Sequence, residues 1–158
     1  MKQIELLKKI PSDTFIIGGS YAIKQQDKNF RDPQDIDIMF KQEYAEFIKF
    51  LAEKDWWTVK DEWHYELEVM FLTKDGNEIH CMPFKELPTK IIKKDGFNLL
   101  IQDEVYEHKK RLLTHCKRWT PQFEKHLYDI WYSLNKKSDY FDSTPWVIMC
   151  PTGGQIPF

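Results

Sequence analysis

The chain has 158 residues, of which 42% are hydrophobic and 30% are charged, and its formal net charge is −2. These values are typical of a single globular domain, and without an overall positive field a nucleic-acid backbone is not an expected partner. No apolar run approaches the ~20 residues of a membrane helix, the first residues predict no secretory signal, and three widely spaced cysteines predict free thiols in a reducing cytoplasm.

Hydrophobic periodicity and turn residues predict a mixed α/β chain. The elements predicted for the first half are, in chain order, a helix over 2–10, a strand starting at Phe15, a helix over 20–26, a strand around 35–39, a helix over 42–54, and strands over 63–73 and 78–84. Those predicted for the second half are a short strand after 89, an apolar strand over 97–101, helices over 103–116 and 121–134, and a tail over 136–158 that is mostly loop. Asp75-Gly76 and Asp95-Gly96 predict hairpin turns, because this dipeptide accepts the positive φ values that such turns require.

A pair of glycines lies between the first predicted strand and the helix that follows it. Gly18 and Gly19 come directly after the apolar run that starts at Phe15. Two glycines before a helix let the backbone approach a phosphate closely, and the amide groups at the start of the helix can then bind the anion. Ser20 is the next residue, and its hydroxyl is expected either to cap the helix or to donate to a phosphate oxygen.

Two aspartates are spaced for one face of the next strand. Asp35 and Asp37 alternate with Ile36 and Ile38, so both carboxylates are expected to point the same way while the isoleucines pack behind them. Adjacent carboxylates repel each other unless a cation lies between them, and Mg²⁺ accepts such ligands while keeping positions for water and substrate phosphates. A phosphate site beside a magnesium site predicts phosphoryl-type chemistry on a nucleotide.

The apolar-Gly-Gly motif, its spacer and the Asp-apolar-Asp-apolar motif resemble the signature of the DNA polymerase β-type nucleotidyltransferase superfamily, and most closely that of its small lincosamide and aminoglycoside nucleotidyltransferases. The resemblance covers roughly residues 15–84, with a weaker echo over 121–130. Those enzymes also place an arginine four residues before the first aspartate, and Arg31 stands at that position relative to Asp35. The resemblance implies that Arg31 neutralises phosphate charge, while a simple pair with Asp35 is the alternative.

The predicted elements and the resemblance imply an α/β (α+β) fold, in which a mixed-sheet nucleotidyltransferase core is flanked by helices and followed by C-terminal helices. The predicted division of this one compact domain is a core over 1–102, C-terminal helices packed on the core over 103–135, and a mostly irregular tail over 136–158.

Charged residues in the two C-terminal helices have simple structural interpretations. Lys125 and Asp129 are four residues apart and predict an ion pair on a solvated helix face. Some members of the resembled family carry a similar stretch that faces the triphosphate. The resemblance therefore implies nucleotide binding as a second interpretation of Lys125. Lys109, Lys110 and Arg111 predict a solvated basic face rather than a binding patch.

The third acidic position departs from the pattern that the chain otherwise resembles. In the lincosamide-type enzymes a further carboxylate follows a Gly-x-Glu turn, and residue-by-residue matching puts His80 at that place. Glu78 is two residues earlier and is expected on the same face of the strand. Glu78 is therefore the preferred base or third metal ligand. His80 is the second choice, acting as a neutral imidazole that takes a proton from the acceptor.

The hairpin that carries these residues has a predicted register. If its turn has two residues, Glu78 lies opposite Thr73. In the same register His80 lies opposite Phe71, and Glu68 points to the other face.

Together these features predict a magnesium-dependent nucleotidyltransferase that moves a nucleoside monophosphate from an NTP to a hydroxyl group and releases pyrophosphate, with two metal ions on the aspartates. Two alternatives share the fold: a catalytically degenerate nucleotide-binding or interaction protein, and a toxin-type nucleotidyltransferase that modifies RNA or protein. The acceptor, the preferred nucleotide and the choice between a monomer and a homodimer stay open.

Overall fold

The computed structural model describes residues 1–64, 67–114, 120–135, 147–149 and 155–157. Its helices are α1 (Lys2–Leu7), α2 (Gly19–Gln26), α3 (Ala45–Lys54), α4 (Gln102–Leu113) and α5 (Pro121–Asn135). Its strands are β1 (Phe15–Gly18), β2 (Ile36–Lys41), β3 (Thr58–His64), β4 (Leu67–Lys74), β5 (Asn77–Phe84), β6 (Ile91–Lys94), β7 (Phe97–Leu100), β8 (Val147–Met149) and β9 (Gln155–Pro157). In this part of the chain, no helix is both long enough and apolar enough to cross a membrane.

Seven of the described strands form one mixed sheet in the order β3-β4-β5-β2-β1-β7-β6. Strand β2 runs parallel to β5 and antiparallel to β1, and β1 runs parallel to β7. The predicted fold class, a mixed sheet with helices and a C-terminal helical segment, is confirmed. This strand order places the glycine turn, the aspartate strand and the β4–β5 hairpin side by side.

The two predicted hairpin turns are confirmed by their backbone angles. Asp75 and Gly76 have φ values of 51° and 80°, and Asp95 and Gly96 have values of 53° and 82°. The prediction of one strand over 63–73 is wrong, because two antiparallel strands, β3 and β4, pair over this region and start at residue 58. Strand β3 lies at the edge of the sheet, where exposed charged residues obscure the alternation that would have predicted it.

Alternation along β2 separates the core from the site. Ile36, Ile38 and Phe40 are at most 2% exposed, and a fully buried side chain of this size contributes roughly 1.5–3 kcal/mol relative to an exposed one. Helix α3 lies on this same side, where Lys49 bonds to Asp61 of β3 at 2.9 Å. The opposite side of β2 carries the half-buried Asp37 next to Met39, which is 6% exposed.

The chain divides into two compact units, one over Met1–Val105 and the other over Tyr106–Phe158. In the second unit Phe123 forms a small core with Leu113 and Leu127. Helix α5 begins at Pro121, and the Thr120 hydroxyl accepts a hydrogen bond from the Phe123 amide at 3.2 Å. The predicted boundary at 102 and the packing of the C-terminal helices on the core stay predictions.

The predicted loop over 136–158 lies mostly outside the described residues. The parts that are described, β8 and β9, pair as a short antiparallel ribbon instead of forming loop.

Two predictions for the charged residues of the C-terminal helices are wrong. Asp129 is fully buried, and its Oδ2 lies 3.0 Å from Nζ of Lys109, which is itself only 5% exposed. Asp129 therefore belongs to a buried ion pair between α4 and α5, not to a solvated pair with Lys125. Lys109 likewise faces the interior of this unit, not a solvated basic face.

Candidate active site

The glycine turn lies directly against one of the two aspartates. Strand β1 ends at Gly18, which is opposite Asp37 in the antiparallel pair. Gly19 opens α2 with a φ of +60°, and a Cβ atom placed on it would lie 2.0 Å from Oδ2 of Asp37. Only glycine therefore satisfies both the backbone angle and the space at this position. The predicted proximity of the two motifs is confirmed for this pair.

The β4–β5 hairpin brings further polar side chains beside Asp37. In the parallel pair of β2 and β5, Asp37 is opposite His80. In the β4–β5 hairpin His80 is opposite Phe71 and Glu78 is opposite Thr73, as the turn predicted. Gly18, Asp37, His80 and Phe71 thus form one row across four neighbouring strands.

His80 is held from three sides. Its Nδ1 is 3.4 Å from Oδ1 of Asp37, and its Nε2 is 3.1 Å from Oε2 of Glu78. The ring of Phe71 meets the imidazole edge to face, with ring centroids 4.7 Å apart and an interplanar angle of 73°. Both ring nitrogens are therefore engaged by carboxylates, and the aromatic contact restricts the ring orientation.

The electrostatic environment of His80 favours its charged form. Burial of the ring lowers its pKa, but the hydrogen bond and the charge of Asp37, together with Glu78 and Asp35, outweigh burial and raise the pKa to about 9. The imidazole therefore carries a proton at neutral pH in this structure. That state differs from the neutral imidazole that the sequence suggested as a base.

A group of potential metal ligands is centred on this histidine. Asp35, Glu78 and His80 each offer a ligand atom, and these atoms all lie within 4.8 Å of one another. Asp35 directly precedes β2, and Asp37 is the second residue of that strand. Carboxylate oxygens are the ligands that Mg²⁺ prefers, whereas an imidazole better suits transition metals. The two carboxylates of this group accordingly fit a divalent cation, whereas His80 can bind one only after it loses its proton. Asp37, predicted to share the cation with Asp35, is not part of this group of ligand atoms.

The anion-binding side of the site involves Ser20 and Arg31. Nη2 of Arg31 donates a hydrogen bond to Oγ of Ser20 at 2.8 Å. Ser20 is only 8% exposed, and no side chain caps the N-terminus of α2. The guanidinium of Arg31 also lies over the ring of Phe30, 5.2 Å from its centroid. Arg31 is thus held near the first turn of α2, where an anion would meet both the helix terminus and the guanidinium.

Two further lysines bear on the proposed nucleotide site in different ways. Lys125 is exposed on α5 in the second unit, and its role at the triphosphate stays a prediction. Lys24 of α2 was not singled out from the sequence, although its ammonium contacts the loop that carries Arg31. No spacing rule marks Lys24, because its contacts depend on the path of the loop after the helix.

A family model described as aminoglycoside-2''-adenylyltransferase matches residues 1–125. No curated protein matches the chain significantly.

Solved structures share the fold at low sequence identity. ANT(2'')-Ia in complex with adenylyl-2''-tobramycin is 16% identical with a TM-score of 0.61, over 87% of this chain and 92% of that chain. The solution structure of the antibiotic-resistance factor ANT(2'')-Ia is 17% identical with a TM-score of 0.59, over 86% of each chain. A proposed nucleotidyltransferase from Thermotoga maritima is 16% identical with a TM-score of 0.53, over 85% of this chain and 94% of that chain. Because the family model spans most of its length, the chain belongs to the aminoglycoside-2''-adenylyltransferase family, a nucleotidyltransferase family as the glycine and aspartate motifs predicted.

Proposed function

We propose that the protein transfers a nucleoside monophosphate from an NTP to a hydroxyl group of a small molecule, with the help of a divalent metal. Family membership supports nucleotidyl transfer. The observation that carries the proposal is the packing of the glycine turn against Asp37, with His80 on the neighbouring strand and Glu78 and Asp35 beside it. In this proposal the anion site at the glycine turn and the cation site at the carboxylates lie next to each other.

The metal would be held by the carboxylates at the ends of β2 and β5. Asp35 and Asp37 are the proposed primary ligands, and a carboxylate oxygen of Glu78 lies within 4.8 Å of one of Asp35. His80 can join them only as a neutral imidazole, so a bound cation would have to displace its proton. A bound divalent cation would neutralise charge on the triphosphate and on the departing pyrophosphate. The half-buried position of these side chains is compatible with ligands from both the protein and the nucleotide.

The triphosphate would bind where α2 begins. Gly18 and Gly19 allow close approach of the backbone, and Ser20 and Arg31 supply polar groups at the same end of the helix. Lys125 is retained as a proposed additional contact. Positioning and charge neutralisation supply most of the rate in reactions of this class.

Glu78 is the proposed general base. Both nitrogens of His80 are engaged by carboxylates, so the imidazole is poorly placed to accept a proton from an acceptor hydroxyl. One carboxylate oxygen of Glu78, Oε2, contacts His80 in this pair, and the Glu78 side chain is 44% exposed. In the proposed step the acceptor oxygen forms a bond to the α-phosphorus, while the bond between the α-phosphorus and the oxygen of the β-phosphate breaks. Pyrophosphate leaves, and the hydroxyl proton passes to Glu78, a transfer worth about 10²–10⁴ in rate.

The proposed acceptor is a hydroxylated amino sugar, and the proposed donor is ATP. A family relative was solved with adenylyl-2''-tobramycin. An amino sugar carries ammonium groups, which suit a chain with a net charge of −2 and a site with several carboxylates.

Transfer of label from α-labelled ATP or GTP to a panel of amino sugars, with Mg²⁺ or Mn²⁺, tests the proposal. The Asp37→Asn variant is expected to lower transfer by at least about 100-fold. Asp13→Asn is the matched control, because Asp13 is exposed in a turn before β1. Absence of transfer by the wild-type protein, or equal transfer by the Asp37→Asn and Asp13→Asn variants, would refute the proposed function.

A second candidate function follows from His80, which stands where the resembled enzymes have a carboxylate. A protein that binds nucleotide without turnover would show heat of binding in calorimetry and no transfer, and His80→Asp would restore activity. Label found on cellular protein or tRNA instead would identify the toxin-type alternative.

A further inference from the structure

Lys24 lies on α2, one turn after Ser20, and its ammonium contacts the loop that follows the helix. Nζ donates a hydrogen bond to the carbonyl of Lys28 at 2.8 Å and another to the carbonyl of Phe30 at 2.7 Å. The same Nζ lies 3.1 Å from a carboxylate oxygen of Asp32. One side chain therefore contacts three residues of the loop, on both sides of Arg31.

The loop between α2 and β2 has further internal anchors. The side chain of Phe30 is only 2% exposed. Its amide donates to the carbonyl of Asp27 at 3.0 Å, and the Asn29 amide donates to the Asp27 carboxylate at 3.1 Å. These contacts shape the first half of the loop, whereas the bond from Lys24 to the Phe30 carbonyl fixes the peptide group that leads into Arg31.

We propose that Lys24 is a positioning residue for Arg31, an inference that rests on the proposed nucleotide site. Arg31 reaches back to Ser20 at the first turn of the same helix. Lys24 and Ser20 therefore hold the backbone and the tip of Arg31 from one rigid element. A guanidinium held in this way meets the triphosphate in a preformed orientation, and the rate depends steeply on such placement.

The carbonyl contacts carry this role rather than the ion pair. The Asp32 side chain is 92% exposed and that of Lys24 is 26% exposed, and an ion pair with one fully solvated partner contributes little. Two charge-assisted bonds from a half-buried ammonium to backbone carbonyls are stronger constraints.

Lys24→Met removes the ammonium and keeps the length of the side chain. Lys28→Met is the matched control, since it makes the same substitution and the same charge change at an exposed position of the same loop. In the proposed transfer assay, Lys24→Met is expected to lower kcat/KM for the NTP by about 10- to 100-fold. The Lys28→Met variant should stay within about twofold of wild type, as expected for an exposed side chain.

A double-mutant cycle separates positioning of Arg31 from a general loss of structure. In an Arg31→Ala background, Lys24→Met is expected to change kcat/KM by less than about twofold, because the residue through which it acts is gone. An undiminished effect of Lys24→Met in that background, or equal effects of Lys24→Met and Lys28→Met, would overturn the inference.

A measurement without turnover distinguishes failure of this inference from failure of the proposed function. In the nucleotide-free protein, the NMR signal of the Arg31 side-chain Nε–Hε group is expected to move in Lys24→Met and to stay in place in Lys28→Met. An unmoved signal in Lys24→Met overturns the positioning role. Absence of both transfer and nucleotide binding in the wild-type protein overturns the proposed function, whatever that signal does.

Discussion

Gly19 is the residue at which the geometry of the site can be tested most sharply. A Cβ atom at this position would lie 2.0 Å from Oδ2, 2.8 Å from Cγ and 3.0 Å from Cβ of Asp37. The backbone there has a φ of +60°. The Gly19→Ala substitution therefore strains the backbone and displaces the Asp37 carboxylate at once. Gly96→Ala isolates the first effect, because Gly96 has a φ of +82° and nothing within 4 Å of the added methyl group.

The two effects have different sizes. The left-handed conformation costs a non-glycine residue about 1–2 kcal/mol, and a domain of this length loses roughly 2–4 °C in Tm for each kcal/mol. Gly96→Ala should accordingly lower Tm by about 2–8 °C and leave activity unchanged. The clash adds about 1–3 kcal/mol in Gly19→Ala, and the displaced carboxylate is expected to reduce transfer by about 100-fold or more.

Thermal unfolding and label transfer, with transfer measured well below both midpoints, check these values. If Gly19→Ala and Gly96→Ala have the same transfer activity and the same loss in Tm, the carboxylate of Asp37 does not lie against the glycine turn. The site geometry given above would then be wrong. Loss of stability without loss of activity would show that Asp37 has no part in catalysis.

The remaining predictions concern the buried ion pair, one strained residue and His80. Lys109→Met leaves the Asp129 carboxylate buried without its ammonium partner and should lower the free energy of unfolding by about 3–5 kcal/mol. Lys125→Met, at an exposed position, should change the free energy of unfolding by less than about 0.5 kcal/mol. Urea denaturation measures both variants, and equal losses of stability would contradict the buried ion pair. Trp56→Gly relieves a φ of 65° at an 86% exposed residue and should raise the free energy of unfolding by up to about 1 kcal/mol. A urea midpoint below that of the wild type would contradict backbone strain at Trp56. The pKa of His80 is about 9 in the folded protein against 6.5 ordinarily. The stability that protonated His80 contributes is therefore complete below pH 6.5 and is lost as the pH rises through about 9. A stability difference between wild type and His80→Gln that does not shrink over this range would refute the raised pKa. His80→Asp replaces an imidazole by a carboxylate and should raise the ratio of Mg²⁺- to Co²⁺-supported transfer by at least about 10-fold, and an unchanged ratio would exclude His80 from the metal site.

The features that sequence reasoning predicted correctly are those set by local geometry. Gly76 follows Asp75 in a two-residue turn, which fixes the register of the hairpin. His80 therefore had to face Phe71, and the structure confirms that it does. The strand–helix–strand order predicted that the glycines lie beside the aspartates, and the antiparallel pairing of β1 with β2 puts Gly18 opposite Asp37.

The features that sequence reasoning missed depend on contacts between distant elements or on an exposed edge. Asp129 pairs with Lys109 across two helices, and the i,i+4 spacing to Lys125 gave no indication of this. Strand β3 carries a run of charged residues in its middle, so its strand character came only from pairing with β4. Lys24 bonds to backbone carbonyls, which carry no sequence signature.

His80 explains how this site tolerates so many carboxylates. Asp35, Asp37 and Glu78 all contribute to the raised pKa of the imidazole. Carboxylates so close together repel one another, and a positive charge among them offsets that repulsion. An aspartate at position 80 would add a fourth negative charge, whereas the protonated imidazole supplies a positive one within 3.4 Å of Asp37 and 3.1 Å of Glu78. The carboxylate expected at position 80 is thus not simply lost: Glu78 offers one on the same face two residues earlier, and the imidazolium lowers the repulsion that the folded chain would otherwise bear before any metal binds.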